Sequence, residues 1–163
     1  MLFMKNFFKG IAAGTVVALL VLAVQSCGGN KESASGQTVE QSQVITDSKE
    51  LVAAEDALAT VGLTFSEQLS ESTVQVTLHT DQASEASNTE KLELLNKYVR
   101  IAKAYLTKYS GEFTLVDEQG KRTQRTLKEN VKGSIKARIN TCEQKIKQLQ
   151  VNYIPEQELK TRN

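Results

Sequence analysis

The amino-acid sequence predicts an all-α domain, an antiparallel three-helix bundle or a helical coiled-coil-like domain, that follows a flexible tether. The first observation is that apolar residues recur at steps of three and four in three separate segments. The second is that each segment opens with Asp, Ser or Thr and carries Glu three residues later, as in a helix capping box. The third is composition, because the 163 residues include one proline, and proline is the strongest helix breaker.

The first 26 residues have the features of a signal peptide. Lys5 and Lys9 give a positive start, and residues 11–24 form an almost wholly apolar run. A helix over that run would be roughly 21 Å long at about 1.5 Å per residue, which is short of the ~30 Å hydrocarbon core of a bilayer. We therefore expect residues 1–26 to be a cleaved leader and not a permanent transmembrane helix.

The leader ends in Val24-Gln25-Ser26-Cys27, which is an aliphatic residue, a tolerant position, a small residue and a cysteine. This segment resembles the lipobox of bacterial lipoproteins, and the resemblance covers about the first 30 residues only. It implies that the Cys27 thiol is diacylated, that the chain is cut before Cys27 and that the new amino terminus is acylated. Two or three acyl chains would hold the protein stably at a membrane.

Cys27 is followed by Gly28, whereas an Asp at this position retains many Gram-negative lipoproteins at the inner membrane. The resemblance therefore implies a lipid-anchored protein of the cell envelope, at the outer membrane. It does not distinguish the periplasmic face from the cell surface. Residues 28–46 are rich in Gly, Ser, Gln and Thr. We expect residues 27–46 to comprise the lipidated cysteine and a flexible linker with a reach of roughly 25 Å.

The predicted helical domain runs from residue 47 to residue 154, and Asp47 and Glu50 open its first helix as a capping box. One apolar stripe follows at Leu51, Ala54, Leu58, Val61, Phe65 and Leu69. Gly62 weakens this helix without ending it. Residues 73–80 alternate between apolar and polar side chains, which is a strand pattern, but no second strand lies at hairpin distance. A continued or kinked helix is therefore favoured there, and a short β strand is the alternative.

The second helix has the clearest pattern in the chain, and Ser87 and Glu90 form its capping box. Two adjacent stripes at heptad spacing give it a wide apolar face, at Leu92, Leu95, Val99, Ala102, Leu106 and Tyr109 and at Leu94, Tyr98, Ile101 and Tyr105. Such a face touches two neighbours at once, so this helix is predicted to be the central one. Tyr98 and Tyr105 are expected at the core edge, where part of the face remains for a partner helix, and both are candidate partner-binding residues.

Residues 113–125 are predicted to connect the second and third helices. Residues 117–120 have the composition of a turn, with Asp first and Gly fourth. Two short strands are the alternative to two helices on either side of this turn. The helices are favoured because one isolated hairpin is marginally stable.

Thr126 and Glu129 form the third capping box. The stripe of the third helix passes through Leu127, Val131, Ile135, Ile139, Cys142, Ile146 and Leu149. Cys142 is expected to be a buried thiol because it belongs to that stripe. The helix should end before Pro155, and residues 155–163 should fray.

Charge is unevenly distributed along the chain, although its formal net charge is +1. Residues 31–96 contain twelve acidic and three basic side chains, whereas residues 121–149 contain nine basic and two acidic ones. We expect the basic third helix to pack beside the acidic first helix. Lys128, Lys132 and Lys136 are candidate partner-binding residues, for an acidic envelope protein or a membrane surface. An envelope location argues against nucleic acid as a partner.

The sequence contains no pattern that predicts catalysis. His79 is the single histidine and is expected at the surface, and a metal site would need further ligands at suitable spacing. Phosphate-binding glycine loops, nucleophile elbows and zinc-protease motifs are absent from the sequence. No catalytic, cofactor-binding or metal-binding residue is predicted, and the chain is not expected to be an enzyme.

These features predict a lipid-anchored, helical cell-envelope protein that binds, positions or braces another envelope protein. Its expected contacts are the membrane, through the N-terminal lipid, and an envelope protein partner. No cofactor is expected. The alternative is an envelope lipoprotein that binds a small ligand or acts as an inhibitor, and this alternative requires a concave pocket.

Overall fold

The computed structural model describes residues 24–26, 37–70 and 73–151. Their secondary structure, in chain order, is β1 (Val24–Ser26), β2 (Gln37–Glu40), α1 (Gln41–Thr60), β3 (Leu63–Leu69), β4 (Val74–Thr80), α2 (Asn88–Tyr109), β5 (Phe113–Val116), β6 (Arg122–Leu127) and α3 (Glu129–Val151). The predictions for most of the leader, for Cys27 and for the C-terminal tail lie outside the described residues.

The prediction of an all-α fold is wrong, because two β sheets accompany the three helices. The fold is a mixed arrangement of α helices and β strands. One sheet is an antiparallel pair, β3–β4, and the other has the strand order β1-β6-β5-β2. The strands come from segments that the sequence assigned to the leader, the linker, a helix and a connector.

The three helices still form the centre of the molecule, and α2 contacts both α1 and α3. Just before α2, the Ser84 hydroxyl donates to the carbonyl of Val61 at the end of α1, over 2.9 Å. At the other end of α2, the Tyr109 hydroxyl donates to Asp47 near the start of α1, over 2.6 Å. These two hydrogen bonds show that α1 and α2 are antiparallel. The contacts of α2 with both other helices confirm the central position predicted for the second helix.

Helix α1 differs from its prediction at both ends. It begins at Gln41 and not at Asp47, so Asp47 is inside the helix and caps nothing. It ends at Thr60, because Gly62 adopts a φ of 77°, in the left-handed region that side chains with a Cβ disfavour. The predicted stripe that continued to Leu69 is therefore divided between a helix and a strand, and Phe65 belongs to β3.

Residues 73–80 contain strand β4 and not a continued helix. Strand β4 pairs with β3 from Leu63 opposite Thr80 to Leu69 opposite Val74. The sequence prediction missed the partner strand because that segment also fits helical spacing. Strand β4 packs on α3, which buries the apolar face of the hairpin and leaves its polar face to solvent.

The second sheet replaces the predicted connector between helices. Strand β2 runs parallel to β5, and β5 runs antiparallel to β6. The β5–β6 hairpin is stable because it is not isolated. Strand β2 pairs with β5, and both Val39 of β2 and Phe113 of β5 are buried. Strand β2 and the first turns of α1 are built from residues 37–46, which the sequence assigned to the linker.

Two of the local predictions for the later helices have opposite outcomes. The capping box of α2 is confirmed, since the Ser87 side chain accepts from the Glu90 amide and the Glu90 side chain accepts from the Ser87 amide. The third capping box does not form, because Thr126 lies in strand β6 and pairs with Gln25 of β1. Cys142 is fully buried on α3, which confirms the prediction of a buried thiol.

Candidate functional site

The two candidate tyrosines lie in the core, and this corrects the expectation that they contact a partner. Tyr98 and Tyr105 are 1% and 3% exposed. The Tyr98 ring lies 5.3 Å from the Phe65 ring, and the Tyr105 hydroxyl is 3.2 Å from the Ser48 hydroxyl. Burial raises the pKa of both tyrosines. The wide face of α2 is covered by α1 and α3, with Phe65 of β3 against Tyr98, so it is not free for a partner helix.

The three candidate lysines lie at the start of α3 and form one row, which we call the basic stripe (Lys128, Lys132 and Lys136). Lys128 directly precedes α3, and its carbonyl accepts from the Lys132 amide over 3.0 Å, so the helical spacing extends back to Lys128. Residues four apart on a helix share a face. Lys136 is exposed and Lys128 is partly exposed, whereas the Lys132 side chain is only 13% exposed.

One of the three lysines of the basic stripe is paired with a carboxylate. Lys132 forms an ion pair with Glu129 over 2.7 Å. Within the described residues, Lys128 and Lys136 form no ion pair. Further along the exposed side of α3, Glu143 pairs with Lys103 of α2 over 2.7 Å. Glu129 and Glu143 each form an ion pair with a lysine, and the exposed side of α3 keeps a net positive charge.

The basic helix was expected to pack beside the acidic first helix, but α3 packs against α2 and β4 and reaches α1 through Arg138. Its guanidinium donates to Glu55 of α1 and, over 2.9 Å, to Glu67 of β3. The same guanidinium lies 5.1 Å from the centre of the Phe65 ring. Burial raises the pKa of Glu55, although Arg138 acts in the opposite direction. This network joins α1, the hairpin and α3, whereas the basic stripe lies on another side of α3.

The Arg138 network was not predicted from the sequence. Arg138 stands directly before Ile139 and three residues after Ile135, and both of these isoleucines are buried. An arginine beside an apolar stripe was the available signal that one basic side chain points inward. Its partner Glu67 was not recognisable, because the sequence pattern placed it on a helix.

One polar pair on the outer face of the hairpin has the residue types of a nucleophile and a base. The Ser66 hydroxyl lies 2.6 Å from Nε2 of His79, and both side chains are exposed. Within the described residues, His79 has no carboxylate hydrogen bond to orient it. A nucleophile of this kind also needs donors for an oxyanion and shelter from water. The pair is therefore a surface hydrogen bond between neighbouring strands.

The remaining chemical groups give no reactive arrangement in the part of the chain that the structure describes. Burial raises the pKa of Cys142 to about 12, so its thiol is protonated and unreactive. No group of three or more His, Cys, Asp and Glu side chains among these residues could hold a metal ion. The basic stripe is therefore the candidate functional site. Its charges can attract a partner that has a negative surface.

Comparison of the chain with family models, with characterised proteins and with solved structures finds no match. None of the helices in residues 37–70 and 73–151 has the length and the apolar character that crossing a bilayer requires.

Proposed function

We propose that the chain is a lipid-anchored component of the cell envelope that acts by surface contact, binding or bracing another envelope component. The observation that carries this proposal is Cys27, which stands directly after a small residue at the end of an apolar run with a positive start. The diacylated thiol would hold the protein at the membrane, and Gly28 favours the outer membrane. The basic stripe would supply the contact, towards a partner with a negative surface.

The proposed anchor would be close in sequence to the folded domain. Cys27 is ten residues before Gln37, the first residue of β2. Even fully extended, ten residues reach about 35 Å at most. The folded domain would therefore remain within a few nanometres of the headgroups, where its partner must also lie.

The proposed processing has a consequence for the larger sheet. Strand β1 pairs with the end of β6, and cleavage before Cys27 would remove β1. The mature sheet would then have the order β6-β5-β2. Strand β5 would keep both of its neighbours, and Val39 and Phe113 would stay buried against the helices.

Metabolic labelling with a fatty acid tests the anchor in cells. The wild-type chain should incorporate label and sediment with membranes. The Cys27→Ser variant should lose the label and keep the leader. Cys142→Ala is the matched control, because it removes the other cysteine, which is buried in α3, and it should be labelled as well as wild type. Labelling of Cys27→Ser at the wild-type level would contradict the proposal.

A further inference from the structure

The chain enters the folded domain beside the basic stripe. Gln37 pairs with Phe113, and Phe113 pairs with Arg125, so these three residues occupy one row across the sheet. Neighbouring strands are about 4.8 Å apart, which places Gln37 roughly 10 Å from Arg125. Lys128 comes three residues after Arg125, at the start of α3. The segment that leads from Cys27 therefore ends close to the first lysine of the stripe.

The distances place the basic stripe within reach of the headgroups. Cys27 is at most about 35 Å from Gln37, as derived above from the number of residues between them. The stripe itself covers about 12 Å of helix, from residue 128 to residue 136. The opposite end of the bundle is farther from the anchor by the length of α1, which has 20 residues and is about 30 Å long.

The charges on the exposed side of α3 favour an anionic surface. Besides the stripe, this side carries Lys147, which is exposed, and the uncharged Asn140. Its two carboxylates, Glu129 and Glu143, already pair with Lys132 and Lys103. Lysines close to an anionic leaflet are attracted to it, and the attraction is strongest within one Debye length.

We infer that the basic stripe docks on the anionic headgroups of the same membrane that holds the anchor, so that α3 lies against the bilayer. This inference rests on the proposed lipid anchor, and it names the partner of the candidate site. A lipid anchor and a basic patch are two signals that act together in membrane binding. The anchor would supply the affinity, and the stripe would fix the orientation of the domain. An acidic protein is the competing partner, but the position of the tether beside the stripe favours the bilayer.

The test attaches the mature chain, from Cys27 onward, to vesicles through a maleimide lipid at Cys27. Coupling falls on Cys27 because the Cys142 thiol is buried. This attachment makes the result independent of whether cells lipidate the protein. Vesicles of phosphatidylcholine are compared with vesicles of three parts phosphatidylcholine and one part phosphatidylglycerol, and lysine acylation is mapped by mass spectrometry.

Labelling of Lys136 should fall by about fivefold or more on the anionic vesicles. Lys49 on α1 and Lys97 on α2, both exposed, should label equally on the two kinds of vesicle. High salt should restore labelling of the stripe because it screens the attraction. Equal labelling of the stripe on both kinds of vesicle would overturn the inference and leave an acidic protein as the partner.

A charge-matched pair of variants separates docking from net charge. In K128Q/K132Q/K136Q, the protection of Lys147 on anionic vesicles should be lost. In K49Q/K97Q/R100Q, which removes the same number of positive charges from α1 and α2, the protection of Lys147 should remain. Equal protection of Lys147 in the two variants would overturn the inference. Failure of fatty-acid labelling at Cys27 in cells would instead contradict the proposed anchor.

Discussion

Arg138 of α3 donates to Glu67 of β3 over 2.9 Å, so a helix near the end of the chain is joined to a hairpin that the sequence pattern did not predict. The same guanidinium also binds Glu55 of α1. The Arg138 side chain is 16% exposed. The network thus connects three elements across the interior at a place where water only partly screens the charges.

Replacing Arg138 by alanine should destabilise the fold, because Glu55 and Glu67 would lose the guanidinium that compensates their charges. We expect the free energy of unfolding to fall by about 2–4 kcal/mol. Urea denaturation of the mature chain measures this change. Arg138→Lys is the control, since it keeps the charge without the two-pronged geometry and should lose less. A wild-type unfolding midpoint for Arg138→Ala would contradict the role assigned to the network.

Asp47 should control part of the acid sensitivity of the fold. Partial burial raises the pKa of Asp47, but hydrogen bonds from Lys108, Tyr109 and Gln43 outweigh it and hold that pKa below its usual value of 3.8. The unfolded chain therefore takes up the proton first, and the stabilisation is present above pH 3.8 and is lost as the pH falls through the lower folded value.

The matching variant is Asp47→Asn. At neutral pH it should lower the free energy of unfolding by about 1–2 kcal/mol, and this difference from wild type should shrink as the pH falls below 3.8. Unfolding measured across the acid range checks this. Asp56→Asn removes an exposed carboxylate from the same helix and should lower the free energy of unfolding at neutral pH by less than Asp47→Asn does. A constant difference between Asp47→Asn and wild type at every pH would contradict the assignment.

The turn after α1 should tolerate no side chain at Gly62. A Cβ there would lie 2.6 Å from the Cβ of Ser84, in addition to the strain of a φ of 77°. Gly120 has the same φ but no atom within 4 Å of an added Cβ. Gly120→Ala should therefore cost about 1–2 kcal/mol from backbone strain alone, and Gly62→Ala should cost more. Thermal unfolding compares the two variants, and equal costs would show that the contact with Ser84 is not close.

The capping box of α2 should contribute measurably to stability. Ser87→Ala removes the side-chain acceptor for the Glu90 amide and should cost about 1 kcal/mol in urea denaturation. Thr89→Ala is the control, because it removes another exposed hydroxyl from the first turn of the same helix. If both variants unfold at the same urea concentration, the cap does not contribute as expected.

Local signals predicted α2, its cap and the burial of Cys142, because each depends on residues within one helix. The β3–β4 hairpin and the larger sheet were missed for different reasons. The strand pattern at residues 73–80 was visible, but Phe65 and Leu69 also fitted the helical stripe that precedes it. In addition, the pairing of β2 with β5 joins residues far apart in the chain, from Gln37 to Phe113, and no local pattern indicates such a pairing.

The candidate site was predicted in part. Lys128, Lys132 and Lys136 were candidate residues of a basic helix, and the structure shows them in one row at the start of α3. Tyr98 and Tyr105 were misplaced because the chain's own elements occupy the face that was expected to remain for a partner helix. Phe65 of β3 lies against the Tyr98 ring, and Ser48 of α1 contacts the Tyr105 hydroxyl.

The most direct test of the lipid anchor is the mass of the N-terminal peptide of the protein purified from its native membranes. The proposal predicts a peptide that begins at Cys27 and carries the mass of a diacylglycerol group on its thiol, with or without a further acyl chain on the amino terminus. A peptide that retains residues 1–26 and an unmodified Cys27 would contradict it.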